Sequence, residues 1–162
     1  MSTKLPGWRI KKMEDLKTAL YRSCLDFIHQ RIQTAETALE QAREASNDDT
    51  KSSAGDKFET TREMMQQDIS RNKSLLADAQ QNLQMLESLH DVPVSPQVKN
   101  GSLVYTDNGI FYISISAGLI KLDDFQAFAI SAVSPIGQLL LGKKEGDDFS
   151  FNQNHYLIKK IS

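Results

Sequence analysis

One cysteine, four prolines and one tryptophan among 162 residues leave several classes of protein out of reach. The lone thiol, Cys24, excludes an intrachain disulfide framework. With His29, His90 and His155 far apart along the chain, it also leaves no zinc-ligand spacing. A reducing, cytoplasmic setting is therefore expected. Long apolar runs are missing too: Arg9, Lys11, Lys12, Glu14 and Asp15 interrupt the N-terminal segment, so neither a signal peptide nor a membrane span is expected. The net charge of −2 excludes a simple basic nucleic-acid coat, but it hides an uneven distribution. Residues 1–22 carry an excess of Lys and Arg, and residues 44–59 an excess of Asp and Glu.

Catalytic signatures are equally scarce. Gly142-Lys143-Lys144 lacks the upstream glycine and the following Ser or Thr of a phosphate-binding loop. The histidines and the cysteine fall in different elements, and no serine sits in a nucleophile elbow. No catalytic residue and no tightly held cofactor or metal is expected of this chain.

What is present is a chain of two characters. Apolar content of 40% with 25% charged residues suits a globular or helical protein. From about Met13 to Ser46 there is no proline or glycine, and Leu25, Ile28, Ile32, Ala35, Leu39 and Ala42 recur at steps of three and four. That spacing predicts a coiled-coil helix. A second helix is predicted from Phe58 through Met65, Ile69, Leu76, Ala79, Leu83 and Leu86, with the polar residues Arg62 and Asn72 in its seam. Folding about residue 52 matches the two seams as an antiparallel hairpin over residues 1–91, its tip near 47–56. A helix of roughly thirty residues would reach about 45 Å, which predicts a rod, and a seam closed within one chain predicts a monomer.

Val92-Pro93-Val94-Ser95-Pro96 marks a stiff linker at 92–97. Residues 98–162 then read as a small strand-rich domain. Strands are expected at Leu103–Tyr105 and Ile110–Ile115 around the turn Asp107-Asn108-Gly109, and again at Phe125–Ala132, Phe149–Phe151 and Tyr156–Ile161. A short helix is punctuated by Ser134 as N-cap, Pro135 at the first position and Gly142 at the exit. The class is α+β.

The acidic residues between the helices, Asp48, Asp49, Asp56 and Glu59, form the one candidate chemical constellation. Carboxylates at the end of a rod can complete the oxygen shell of a magnesium ion held mainly by another molecule, although the hairpin alone would hold it weakly. Asp56 and Glu59 also have the spacing of a capping box opening the second helix, with Asp56 as N-cap. Asp48 and Asp49 oppose the dipole at the end of the first helix and have no such helical use.

The string Ser134-Pro135-Ile136-Gly137-Gln138-Leu139-Leu140-Leu141-Gly142-Lys143-Lys144 with Gly146-Asp147, together with Phe58-Glu59-Thr60-Thr61-Arg62-Glu63 and the closing Tyr156–Ile161, resembles the bacterial Gre transcript-cleavage factors. The resemblance implies an FKBP-like fold for the C-terminal domain. It further implies docking on RNA polymerase through Ser134, Pro135, Ile136 and Leu139, and a hairpin in the secondary channel that shares the polymerase Mg2+. Arg43, Arg62, Arg71 and Lys73 become candidate contacts to the nascent RNA 3′ end or the channel wall. Two departures stand out. Anchored on Arg62-Glu63, the family's paired acidic tip positions fall on Lys51 and Ala54, and apolar Val133 precedes Ser134 where Asn or Asp is usual. A channel-binding modulator without cleavage activity is the alternative. A further alternative is an FKBP-like chaperone or prolyl isomerase using Tyr105, Phe111, Tyr112, Phe125 and Phe128.

Overall fold

The computed structural model describes the backbone of residues 7–51 and 56–162 and the side chains of residues 16–47 and 60–162. Two long helices come first, α1 (Gly7–Lys51) and α2 (Asp56–Glu87). Strands β1 (Leu103–Thr106), β2 (Gly109–Ser114), β3 (Gly118–Leu122) and β4 (Phe125–Ser131) follow, then the short helix α3 (Pro135–Leu140), β5 (Asp148–Phe151) and β6 (Asn154–Ile161). The expected α+β class is observed. The chain divides into two compact units, Phe27–Gln84 and Met1–Asp26 with Met85–Ser162.

In the Phe27–Gln84 unit each helix buries one stripe. Ile28, Ala35 and Leu39 of α1 and Ile69 and Ala79 of α2 are buried, with Ile32, Ala42, Met65, Asn72, Leu76 and Leu83 half-buried between them. Asn72 is tolerated because its Nδ2 donates to the Asp68 carbonyl at 2.9 Å, within its own helix. Arg62 departs from expectation: it is exposed, and the half-buried Thr61 holds the stripe position. A guanidinium without a partner stays in water, while a short threonine can be covered at little cost. Helix α1 is also longer than the seam suggested, because Asn47–Lys51 contains neither glycine nor proline to stop it. One groove is bordered by residues between 27 and 38 on one helix and between 72 and 82 on the other. Those stretches are equidistant in sequence from residue 55, about one turn from the expected centre at 52.

In the second unit the strands form one sheet in the order β3-β4-β2-β1-β6-β5. Neighbours are antiparallel except β2 and β4, which run parallel. The hairpin expected around Asn108 is present: Thr106 pairs with Gly109 across Asp107-Asn108, and Gly109 takes a φ of +122° that a side chain would resist. Asn152 and Gln153, both at positive φ, make the β5–β6 turn, as two-residue hairpin loops require. Strand β3 was not expected. It lies at the sheet edge, and its Gly118–Leu122 segment has no fully buried position, with the apolar Leu119 on the exposed side and Ile120 and Leu122 half-buried.

The sheet is covered on both faces. On one, Val104, Phe111, Ile113, Ile158 and Ile161 form a core with Leu140 of α3. Alternation along β1, β2 and β4 turns Leu103, Tyr112, Ser114, Ala127 and Ala129 to the other face. There Cys24 Sγ of α1 lies 3.7 Å from Ser114 Oγ, and Leu20 and Cys24 are fully buried.

Candidate functional site

The corner between β4 and β5 is assembled from backbone constraints. Ser134 Oγ accepts from the Gly137 N–H at 3.1 Å and donates to the Ser131 carbonyl at 2.6 Å, so one hydroxyl closes both the end of β4 and the start of α3. Pro135 occupies the first helical position, where no N–H is needed. Gly137 is required sterically, since a Cβ there would lie 2.1 Å from the Ser131 oxygen. The helix ends at Leu140, and Gly142 turns the chain at φ +81° while its N–H donates to the Val98 carbonyl at 2.9 Å. The charged end of the motif is equally occupied. Asp147 Oδ2 accepts from the Lys144 N–H at 2.8 Å, and Glu145 Oε1 accepts from the Ile161 N–H at 3.2 Å.

Once these uses are subtracted, little of the motif remains for a partner. Leu140 is fully buried and Ile136 is packed partly against the core, whereas Pro135, Gln138 and Leu139 face solvent. The four residues expected to dock therefore split. Ser134 and Ile136 hold the corner together, and Pro135 and Leu139 stand free one helical turn apart. Val133, read from the sequence only as a departure, is 78% exposed and adds to this apolar surface. Leu119 escaped the sequence reading, and Phe128 entered it only as a candidate pocket aromatic. They pair in register across β3 and β4 and are both 42% exposed, on the sheet face that carries α3.

The five aromatics expected to line a proline pocket are divided between the two faces of the sheet. Phe111 and Phe128 stack at 5.9 Å on the α3 side, and Tyr112 points to the opposite face. Tyr105 and Phe125 form a separate pair at 6.4 Å.

A cleft of about 520 Å³ in the same unit is bordered by Lys17, Tyr21, His90, Asp91, Pro93 and Tyr112. Burial, with Lys99 nearby, lowers the Lys17 pKa, and burial raises those of Tyr21 and Tyr112. All three shifts favour the neutral forms. Burial likewise raises the Cys24 thiol, although its bond to Ser114 works against this. That leaves it a poor nucleophile.

The acidic tip residues Asp48, Asp49, Asp56 and Glu59 lie outside the described side chains, as do Lys51 and Ala54. The backbone puts Asp48 and Asp49 in the last turn of α1, where a loop was expected, and α2 begins at Asp56. Of the basic candidates, Arg43, Arg62 and Lys73 are exposed. Each follows a stripe residue (Ala42, Thr61 and Asn72), so in an antiparallel pair they share one flank. Arg71 precedes the stripe, lies on the other flank, and pairs with Asp68 at 3.1 Å. Among the described residues, no group of three or more His, Cys, Asp or Glu is placed to hold a metal ion. No described helix is long and apolar enough to cross a membrane. Compared with known proteins, the chain matches no family model and no curated sequence.

Proposed function

We propose that this protein is a Gre-like transcription elongation factor. It docks on bacterial RNA polymerase through the outward face of α3 and extends its helical pair into the secondary channel, and its sheet domain is FKBP-like. The observation that carries the reading is the division of labour within the Ser134–Gly142 motif. Its polar and glycine residues are spent on building the corner, which holds Pro135, Leu139 and Val133 rigidly in solvent. A rigid apolar patch of this kind is what a docking contact requires, since its side chains lose little freedom on binding. The chain supplies no catalytic group in this scheme. The tip carboxylates Asp48 and Asp49 approach the Mg2+ ions of the polymerase, whose own chemistry cleaves the backtracked transcript. Arg43, Arg62 and Lys73 on one flank suit the RNA 3′ end or the channel wall.

A specific feature favours a second reading. Lys51 and Ala54 stand where the resemblance calls for acidic residues, which suits a channel-binding modulator that leaves cleavage unstimulated. Stalled, backtracked complexes of bacterial RNA polymerase separate the two. Stimulated cleavage by the wild type, lost in Asp48→Asn/Asp49→Asn, supports the cleavage factor. Polymerase binding without stimulation supports the modulator, and absence of any association in a native mass measurement rejects both.

A further inference from the structure

The two flanks of the Phe27–Gln84 pair differ in a way that the folding of one chain does not use. One flank carries the polar residues Glu36, Glu40, Arg43, Arg62 and Lys73, all exposed. The other holds a groove of about 650 Å³ and two large apolar side chains left in solvent, Met64 at 63% and Leu75 at 53% exposed. Both belong to α2. At the corresponding levels α1 presents only small residues, Ala35 and Ala38 beside Leu75 and Ala45 beside Met64. Arg31 of α1 and Asp78 of α2 border the groove at one level, and neither has an ion-pair partner among the described residues.

We infer that this flank binds a second copy of the same chain about a two-fold axis parallel to the helices. Such a rotation sets α1 against the partner's α2 with levels preserved, so each copy presents its large residues to the other's small ones. Leu75 enters the hollow at Ala35 and Ala38 of the partner subunit. Arg31 meets the partner's Asp78, and the same contact repeats across the axis. The buried stripes stay within each chain, so the dimer adds a layer to the hairpin without exchanging its helices. The proposal does not rest on the polymerase reading, and it departs from the monomer expected of a seam closed within one chain; a paired hairpin would have to separate before entering the channel.

The full chain, followed by sedimentation equilibrium over a concentration series, is expected to rise from 18.2 kDa toward twice that mass. Arg31→Asp and Asp78→Arg each bring like charges together at both contacts and are expected to weaken association by about tenfold or more. Mixing the two variant chains restores both opposite-charge contacts, so the mixture should dimerise where neither variant does alone. Leu75→Gln should weaken the dimer, and since all three side chains lie at the surface, helicity by circular dichroism should be unchanged. A mass of 18.2 kDa up to about 1 mM chain overturns the proposal. So does a dimer indifferent to these substitutions, or a mixture that stays as monomeric as its components.

Discussion

The α3 corner and the helical pair carry their candidate residues in opposite ways. At the corner the motif is dense and most of it is structural: Ser134 caps, Gly137 makes room for a carbonyl, Leu140 fills the core and Asp147 latches the following turn. In the helical pair a thin apolar stripe does the structural work, and the candidate basic residues lie exposed on the flanks, only Arg71 among them paired within the helix. Motif density is therefore a poor guide to contact density. A recognisable string can be mostly scaffold, and its functional remainder is found only after the internal hydrogen bonds and burial are subtracted.

Substitutions should reproduce that contrast in their sizes. Gly137→Ala forces a methyl group against the Ser131 oxygen and is expected to cost about 3 kcal/mol, read as a lower urea midpoint for the sheet-containing unit. A loss below about 1 kcal/mol would mean the corner relaxes easily. Ser134→Ala removes the cap and one link to β4 and should cost about 1 kcal/mol by the same measurement. Arg71→Ala breaks an ion pair whose side chains are 71% and 55% exposed, so it should change stability by less than about 0.5 kcal/mol. A larger effect there would show that the flanks of the pair matter to its folding.

Much of this architecture was legible before any coordinates. Steps of three and four along Ile28–Ala42 and Met65–Leu86 specify two helices, Asn108-Gly109 marks a hairpin turn, and Ser134-Pro135 marks the start of α3. What escaped had physical reasons. Strand β3 pairs on only one side, so its pattern is diluted. Phe58, Arg62 and Met65 fit the heptad as well as Thr61 and Met65 do, and only the demand of a guanidinium for water decides between them. Within α3, spacing could not say which of Ile136, Leu139 and Leu140 is inward until the sheet set the packing direction. The exposed pairing of Leu119 with Phe128 depends on β3 and was hidden with it.

The central claim is that the exposed face of α3 is a contact surface and the rest of its motif is scaffold. The most direct test compares binding of the wild type and Leu139→Asp to purified bacterial RNA polymerase, with unfolding of each protein measured in parallel. Leu139 is 39% exposed, so the substitution should leave the unfolding midpoint nearly unchanged while weakening binding by about tenfold or more. Wild-type binding that Leu139→Asp leaves intact, or no binding by the wild type at all, would contradict the account.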